Sequence, residues 1–346
     1  MEAQMIDSSL SLKTFIDDLP DCKSAEPSLY IDLEGNNLSR NGTLSLITIL
    51  VEPKHTVHLV DVTGLGKDAF DTAGSNKRTL RQILESPEIV KVFFDIRNDS
   101  DALFGLFNVR VQGIEDVQLM ELASRSFSKR HINGLAKCIE RDSTLSFKDK
   151  CEWKDGKERG KRLFDPKLGG GYAVFDERPL SAEIKTYCVQ DVLHMPALRE
   201  LYRAKLCDAW WRRIEDETSA RVRLSQGRSF NGQGMHMAEG PRSWQHWRPS
   251  AVEKQSRVLL TIRPDSVASP AVAVTRAESG LDRGVGEREV DLSEIMSVLA
   301  IGSRRRGLGY SARDRSSFDY EHERDDEARD FTACDSECGY CGSCDY

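Results

Sequence analysis

The stretch SLYIDLEG (28–35) alternates: Leu29, Ile31 and Leu33 fall on one side of an extended chain, and Tyr30, Asp32 and Glu34 on the other. A period of two over this length is the pattern of a strand with one face in a core. Two more strand-like runs follow, TLSLITILV (43–51) and HTVHLVDV (55–62), separated only by Glu52-Pro53-Lys54. Connections this short join antiparallel neighbours, so the sheet opens as a meander. RTLRQILES (78–86) then reads as a short helix and IVKVFFD (89–95) as a buried strand, and DSDALFGLF (99–107) places Ala102, Leu103, Leu106 and Phe107 at helical spacing. Helical patterns recur at 116–125, 131–140 and 181–225. Strands first, then strands alternating with helices, imply an α/β domain with a mixed sheet.

Outside this region the pattern breaks twice. Between Lys148 and Lys167 eight bases face five acids, with Trp153 and Phe164 among them and Gly169-Gly170-Gly171 closing the stretch. Residues 142–180 are therefore expected to form a long loop, either functional or disordered. Beyond residue 226 the composition turns to Gly, Ser, Pro, Arg and Asp, and from Ile301 to Asp330 15 of 30 residues are charged. Too little apolar surface exists there to offset chain entropy, so disorder is expected. The expected organisation is a domain with a helical extension over 1–225, a low-complexity region over 226–330 and a cysteine-rich tail over 331–346.

The chain has 346 residues, 39% apolar and 30% charged, which is wetter than a compact enzyme and fits a core diluted by a solvated segment. Acids exceed bases by 56 to 49, a net charge of -7. That balance argues against nucleic-acid binding through bulk charge alone, but suits an acidic site that recruits cations first. No apolar run is long enough to span a membrane, and MEAQMIDSSLSLKTF lacks the basic and apolar regions of a signal peptide. The nine cysteines do not form a secreted disulfide framework. The expectation is a soluble intracellular chain without a membrane partner, with nucleus and cytoplasm both open.

Three motifs carry candidate chemistry. Asp32 and Glu34 share the polar side of their strand about 7 Å apart, close enough to repel unless a cation sits between them. Carboxylate oxygens suit Mg²⁺ or Mn²⁺, although Asp-x-Glu alone also fits a solvated strand end. In KVFFDIRNDSDALF (91–104) a buried strand delivers a polar turn and a helix, and spacing does not separate Asp95, Asp99 and Asp101. Tyr187 and Asp191 stand at i and i+4 in EIKTYCVQDVLHMPAL, one turn apart on one helix face.

In this order the three motifs resemble the DEDDy branch of the DnaQ-like 3′–5′ exonucleases, in particular RNase D-like and Werner-type domains, over roughly residues 25–205. IEDVQLMELAS (114–124) resembles that family's D-T-x-L-A helix, HINGLAKCI (131–139) its L-x-x-L-A helix, and ERPLSAEIKTYCVQDV (177–192) its R-P-L lead-in to the third motif. The resemblance implies a ribonuclease H-like fold, α/β with a mixed five-stranded sheet flanked by helices. It selects Asp99 as the second-motif carboxylate, with Phe94 standing where the family often has His. It implies that Asp32, Glu34, Asp99 and Asp191 hold two Mg²⁺ or Mn²⁺ ions while Tyr187 orients the attacking water. The partner is then a nucleic acid, RNA or DNA, with a free 3′ end, and the product a 5′-mononucleotide.

Substrate contacts are expected from the 148–162 stretch, with Trp153 stacking on a base and Lys154, Arg159 and Lys161 meeting the backbone. Arg212, Arg213, Arg221 and Arg223 offer a further basic flank, and Arg40 and Arg97 lie near the motifs. Cys334, Cys338, Cys341 and Cys344 are a candidate Zn²⁺ site. The rival reading is an exonuclease-like module that binds RNA or protein without cleaving. Phe94 and a tail suited to a protein partner keep it in play.

Overall fold

The computed structural model describes residues 3–19, 28–52, 54–251 and 253. One mixed sheet contains β1 (Ala3–Ile6), β2 (Leu29–Glu34), β3 (Leu46–Val51), β4 (Thr56–Asp61), β5 (Lys91–Phe93) and β6 (Ile114–Asp116). Their spatial order is β1-β4-β3-β2-β5-β6. β2, β3 and β4 pair antiparallel, as their short connections dictate. β1 runs parallel to β4, β5 parallel to β2, and β6 parallel to β5. The sheet thus has six strands where five are expected. β1 has four residues and β6 three, too few to display a period, and β6 merges into a stretch that reads as helix.

Alternation along β2 sorts the core into two layers. Leu29, Ile31 and Leu33 join Ile47, Ile49 and Val60 beneath α1 (Ser9–Asp18), the short α2 (Val62–Leu65) and α3 (Asp68–Asp71), α4 (Leu80–Glu85) and α5 (Ile96–Phe107). On the opposite side lie α6 (Val117–Ser124), α7 (Leu135–Asp142), α8 (Phe147–Phe164), α9 (Ala182–Leu193), α10 (Met195–Arg203) and α11 (Asp208–Ser225). Burial of both faces excludes water from the sheet, and a polar group left there needs a partner or a purpose.

Two expectations are corrected here. Residues 147–164 are not a loop but a helix, N-capped by the Ser146 side chain, which accepts from Asp149 N–H at 3.2 Å. Its buried positions are Trp153, Gly156, Gly160 and Phe164, an i, i+3, i+7, i+11 series. Glycines occupy half of that stripe, so hydrophobicity alone hides the period. The single helical stretch expected over 181–225 is three helices, with Pro196 in the first turn of α10 and a break at 204–207 before α11.

Packing also continues past residue 225. Met237 and Trp244 are buried, and Trp210 sets its ring 5.3 Å from Trp244 and 4.4 Å from Trp247. Its neighbour Trp211 faces another way, under the Arg203 guanidinium at 4.2 Å. The segments at 256–262 and 288–300, the charged 301–330 stretch and the cysteine tail with its candidate Zn²⁺ site lie outside the described residues. Among the described residues, no helix is long and apolar enough to cross a membrane.

Candidate active site

Because Leu29, Ile31 and Leu33 turn to one layer, Asp32 and Glu34 must turn to the other, facing α9. α9 starts at Ser181, whose hydroxyl accepts from Ile184 N–H at 3.2 Å, and it buries Ile184, Cys188 and Val192. Those positions recur every four residues, so Tyr187 and Asp191 flank the buried stripe on one side. Carboxylate oxygens of Asp32, Glu34 and Asp191 all lie within 4.8 Å of one another. Asp99, in the first turn of α5, is buried and near enough to act on Asp32.

The electrostatics of this group are unfavourable as they stand. Burial pushes the Asp32 carboxyl well above the usual carboxylate range, and Asp191, Glu34 and Asp99 push it further. Burial also raises Asp99, with Asp95 and Asp116 adding to it. Asp191 is raised by burial too, against the pull of Lys157. The donor set is entirely hard carboxylate oxygen with more negative charge than its surroundings neutralise. That chemistry fits a divalent cation of the Mg²⁺ or Mn²⁺ type.

The three aspartates that spacing left equivalent are separated by their partners. Asp95 occupies the left-handed region at φ 64° and caps α5. Its carboxylate accepts from Arg97 Nε at 2.7 Å and from an Arg97 terminal nitrogen at 2.6 Å, and Arg221 approaches to 3.2 Å. Arg221 also donates to Asp116 at 2.8 Å and to Gln118 at 3.0 Å, while the Asp95 and Ile96 N–H groups donate to Asp116. Burial alone would raise Asp95, but Arg97 and Arg221 outweigh it and hold its pKa at about 2. Asp101, buried rather than solvated, accepts from the Arg40 backbone N–H at 2.8 Å and pairs with the Arg40 side chain. Asp95 and Asp101 are consumed by structural ion pairs; among the described residues Asp99 has backbone hydrogen bonds but no ion pair.

The same contacts dispose of several bases. Arg40 is held by Asp101 and the Ser225 carbonyl, Arg97 by Asp95 and the Met237 carbonyl, and Arg221 is buried. None of the three is available as a phosphate contact. Arg212 and Arg223 are exposed, and Arg213 lies 4.1 Å over the Trp247 ring. Trp153 is corrected as well: it is 7% exposed, packs in the core and points its Nε1 at the Gln190 carbonyl, 3.4 Å away. A ring already buried has no face left for a base. Lys154 and Arg159 are exposed on α8, and Lys161 lies 3.9 Å from Asp165. Phe94, in the place of a polar family residue, packs against the apolar layer.

One residue near the acids escaped sequence reasoning. Lys157 Nζ lies 2.6 Å from both Asp191 oxygens and 3.2 Å from the centre of the Tyr187 ring. The available signal was the helical stripe of α8, which turns Lys157 toward α9 alongside Gly156 and Gly160. Elsewhere, Arg178 of the R-P-L lead-in donates to Asp61 at the end of β4, anchoring the approach to α9.

A family model described as 3′–5′ exonuclease matches residues 3–204. No curated protein sequence matches the chain. Among solved structures, Trypanosoma brucei RNase D is similar at 21% identity and TM-score 0.56, covering 70% of this chain and 80% of that one. Its complex with RNA U12 is similar at 20% identity and TM-score 0.56, covering 70% and 77%. At these identities the likeness is one of fold.

Proposed function

Since this chain belongs to the 3′–5′ exonuclease family and has the fold of RNase D, we propose that it removes 5′-mononucleotides one at a time from the free 3′ end of a nucleic acid by two-metal-ion hydrolysis. The observation that carries the reading is the convergence of Asp32, Glu34 and Asp191 within 4.8 Å, beside a buried Asp99. When bound by these four carboxylates, Mg²⁺ or Mn²⁺ ions supply charge neutralisation at the phosphate and a more acidic water. Tyr187, one turn before Asp191, orients the attacking water through its hydroxyl. The exposed Lys154 and Arg159, with Lys161, hold the strand by its phosphates.

RNA is the substrate to try first, because the similar T. brucei RNase D has been captured with RNA. The regiochemistry is tested on the products. An oligonucleotide incubated with the full chain and Mn²⁺ in ¹⁸O-water should release nucleoside 5′-monophosphates carrying ¹⁸O on phosphorus, read by mass spectrometry. Nucleoside 3′-phosphates, or oligonucleotide fragments from internal cuts, would contradict the reading.

A further inference from the structure

Lys157 is positioned with more care than a surface lysine needs. Its side chain is 17% exposed, and its ammonium engages both oxygens of Asp191 while resting on the Tyr187 ring. The approach depends on the two glycines beside it. A Cβ at Gly160 would lie 2.6 Å from Tyr187 Cβ, and one at Gly156 would strike the Gln190 side chain. α8 therefore rides close enough on α9 to deliver a cation between the two motif residues. An ammonium on both oxygens of Asp191 offsets the negative charge, and occupies lone pairs, that Asp191 would otherwise offer to a cation held with Asp32 and Glu34. A lysine, with a flexible stem and a single point charge, can withdraw without unpacking the helix; a planar guanidinium locked to the same carboxylate could not do so as readily.

We infer that Lys157 is an internal competitor for the metal site: its ammonium holds Asp191 in place until a divalent cation takes that carboxylate, so the ion enters by exchange. The inference rests on the reading of Asp32, Glu34 and Asp191 as metal ligands. It differs from a plain tether between α8 and α9, whose loss would loosen the ligands and weaken metal binding.

Mn²⁺ titrated into the full chain in a calorimeter, at one pH and salt, separates the two. Lys157→Met should bind Mn²⁺ about tenfold more tightly than wild type, the scale of one charge-assisted hydrogen bond removed from competition. Lys157→Gln should shift in the same direction, Lys157→Arg should not tighten binding, and Asp191→Asn should bind poorly. Thermal melts verify that each variant is folded. Wild-type binding with equal or weaker affinity in both Lys157→Met and Lys157→Gln overturns the inference and leaves the metal site standing. Absence of Mn²⁺ binding in wild type and every variant overturns the metal site and the inference with it.

Discussion

Helix α5 joins two clusters of buried carboxylates that obey opposite electrostatics. At its cap, Asp95 and Asp116 meet Arg97 and Arg221, so every acid faces a guanidinium and Asp95 is held at about 2. One turn on, Asp99 lies near Asp32, which converges with Glu34 and Asp191; there Lys157 contacts Asp191, and the pKa values of Asp32, Asp99 and Asp191 rise. Both clusters are desolvated, so burial does not distinguish them. Charge balance does. A neutralised cluster locks elements together, whereas an acid-rich one is stable only if a further cation is part of its working state.

The sharpest way to break this comparison is to neutralise one acid in each cluster. Asp32→Asn should lower cleavage on the order of a thousandfold or more, while its melting temperature stays level or rises because a repulsion is relieved. Asp99→Asn should follow it. Asp95→Asn should retain far more cleavage than Asp99→Asn at a temperature where it is folded; the reverse ranking would move the catalytic acid to Asp95. Next in size, Arg221→Met should cost about 3–5 kcal/mol in denaturant unfolding, because it takes the guanidinium from buried Asp116 and leaves Asp95 to Arg97. Since Arg221 lies beyond the family match at 3–204, the same result would make α11 part of the folded catalytic unit.

A smaller effect is expected with pH. The folded pKa of Asp95 lies below its unfolded value, so its contribution is present above the unfolded pKa and is lost as pH falls through the folded one. Between about pH 4 and pH 2 the loss in wild type should therefore exceed that in Asp95→Asn by on the order of 2 kcal/mol. Chemical denaturation across that range measures it. Smallest of all, replacing Lys154 and Arg159 together by Ala should weaken strand binding several-fold and flatten its dependence on salt, as expected for roughly two phosphate contacts. An unchanged salt slope would remove α8 from the substrate path.

The meander and the acids of β2 were legible because alternation is strict there and the connections are short. Asp191 and Tyr187 were legible as one helix face, but their meeting with β2 was not, since nothing local records which strand α9 covers. Asp95, Asp99 and Asp101 could not be told apart by spacing. The distinction lies in Arg40, Arg97 and Arg221, one of them more than a hundred residues away in the chain. α8 was misread for a specific reason: glycines chosen for close packing on α9 replaced the apolar residues by which a buried face is recognised. The charge of Lys157 was visible, but not its direction. Phe94, which suggested a weakened site, packs in the apolar layer, while Asp32, Glu34 and Asp191 still converge within 4.8 Å and Asp99 is buried near Asp32.

The measurement that bears most directly on the central claim is digestion of 5′-labelled single-stranded RNA and DNA by the full chain, with Mn²⁺, Mg²⁺ or EDTA. The acid-rich cluster predicts a ladder that shortens from the 3′ end with either metal, disappears in EDTA and is lost in Asp32→Asn. An intact substrate that nevertheless shifts on a native gel, with or without EDTA, would contradict it and leave a chain that binds nucleic acid on an exonuclease fold without cutting it.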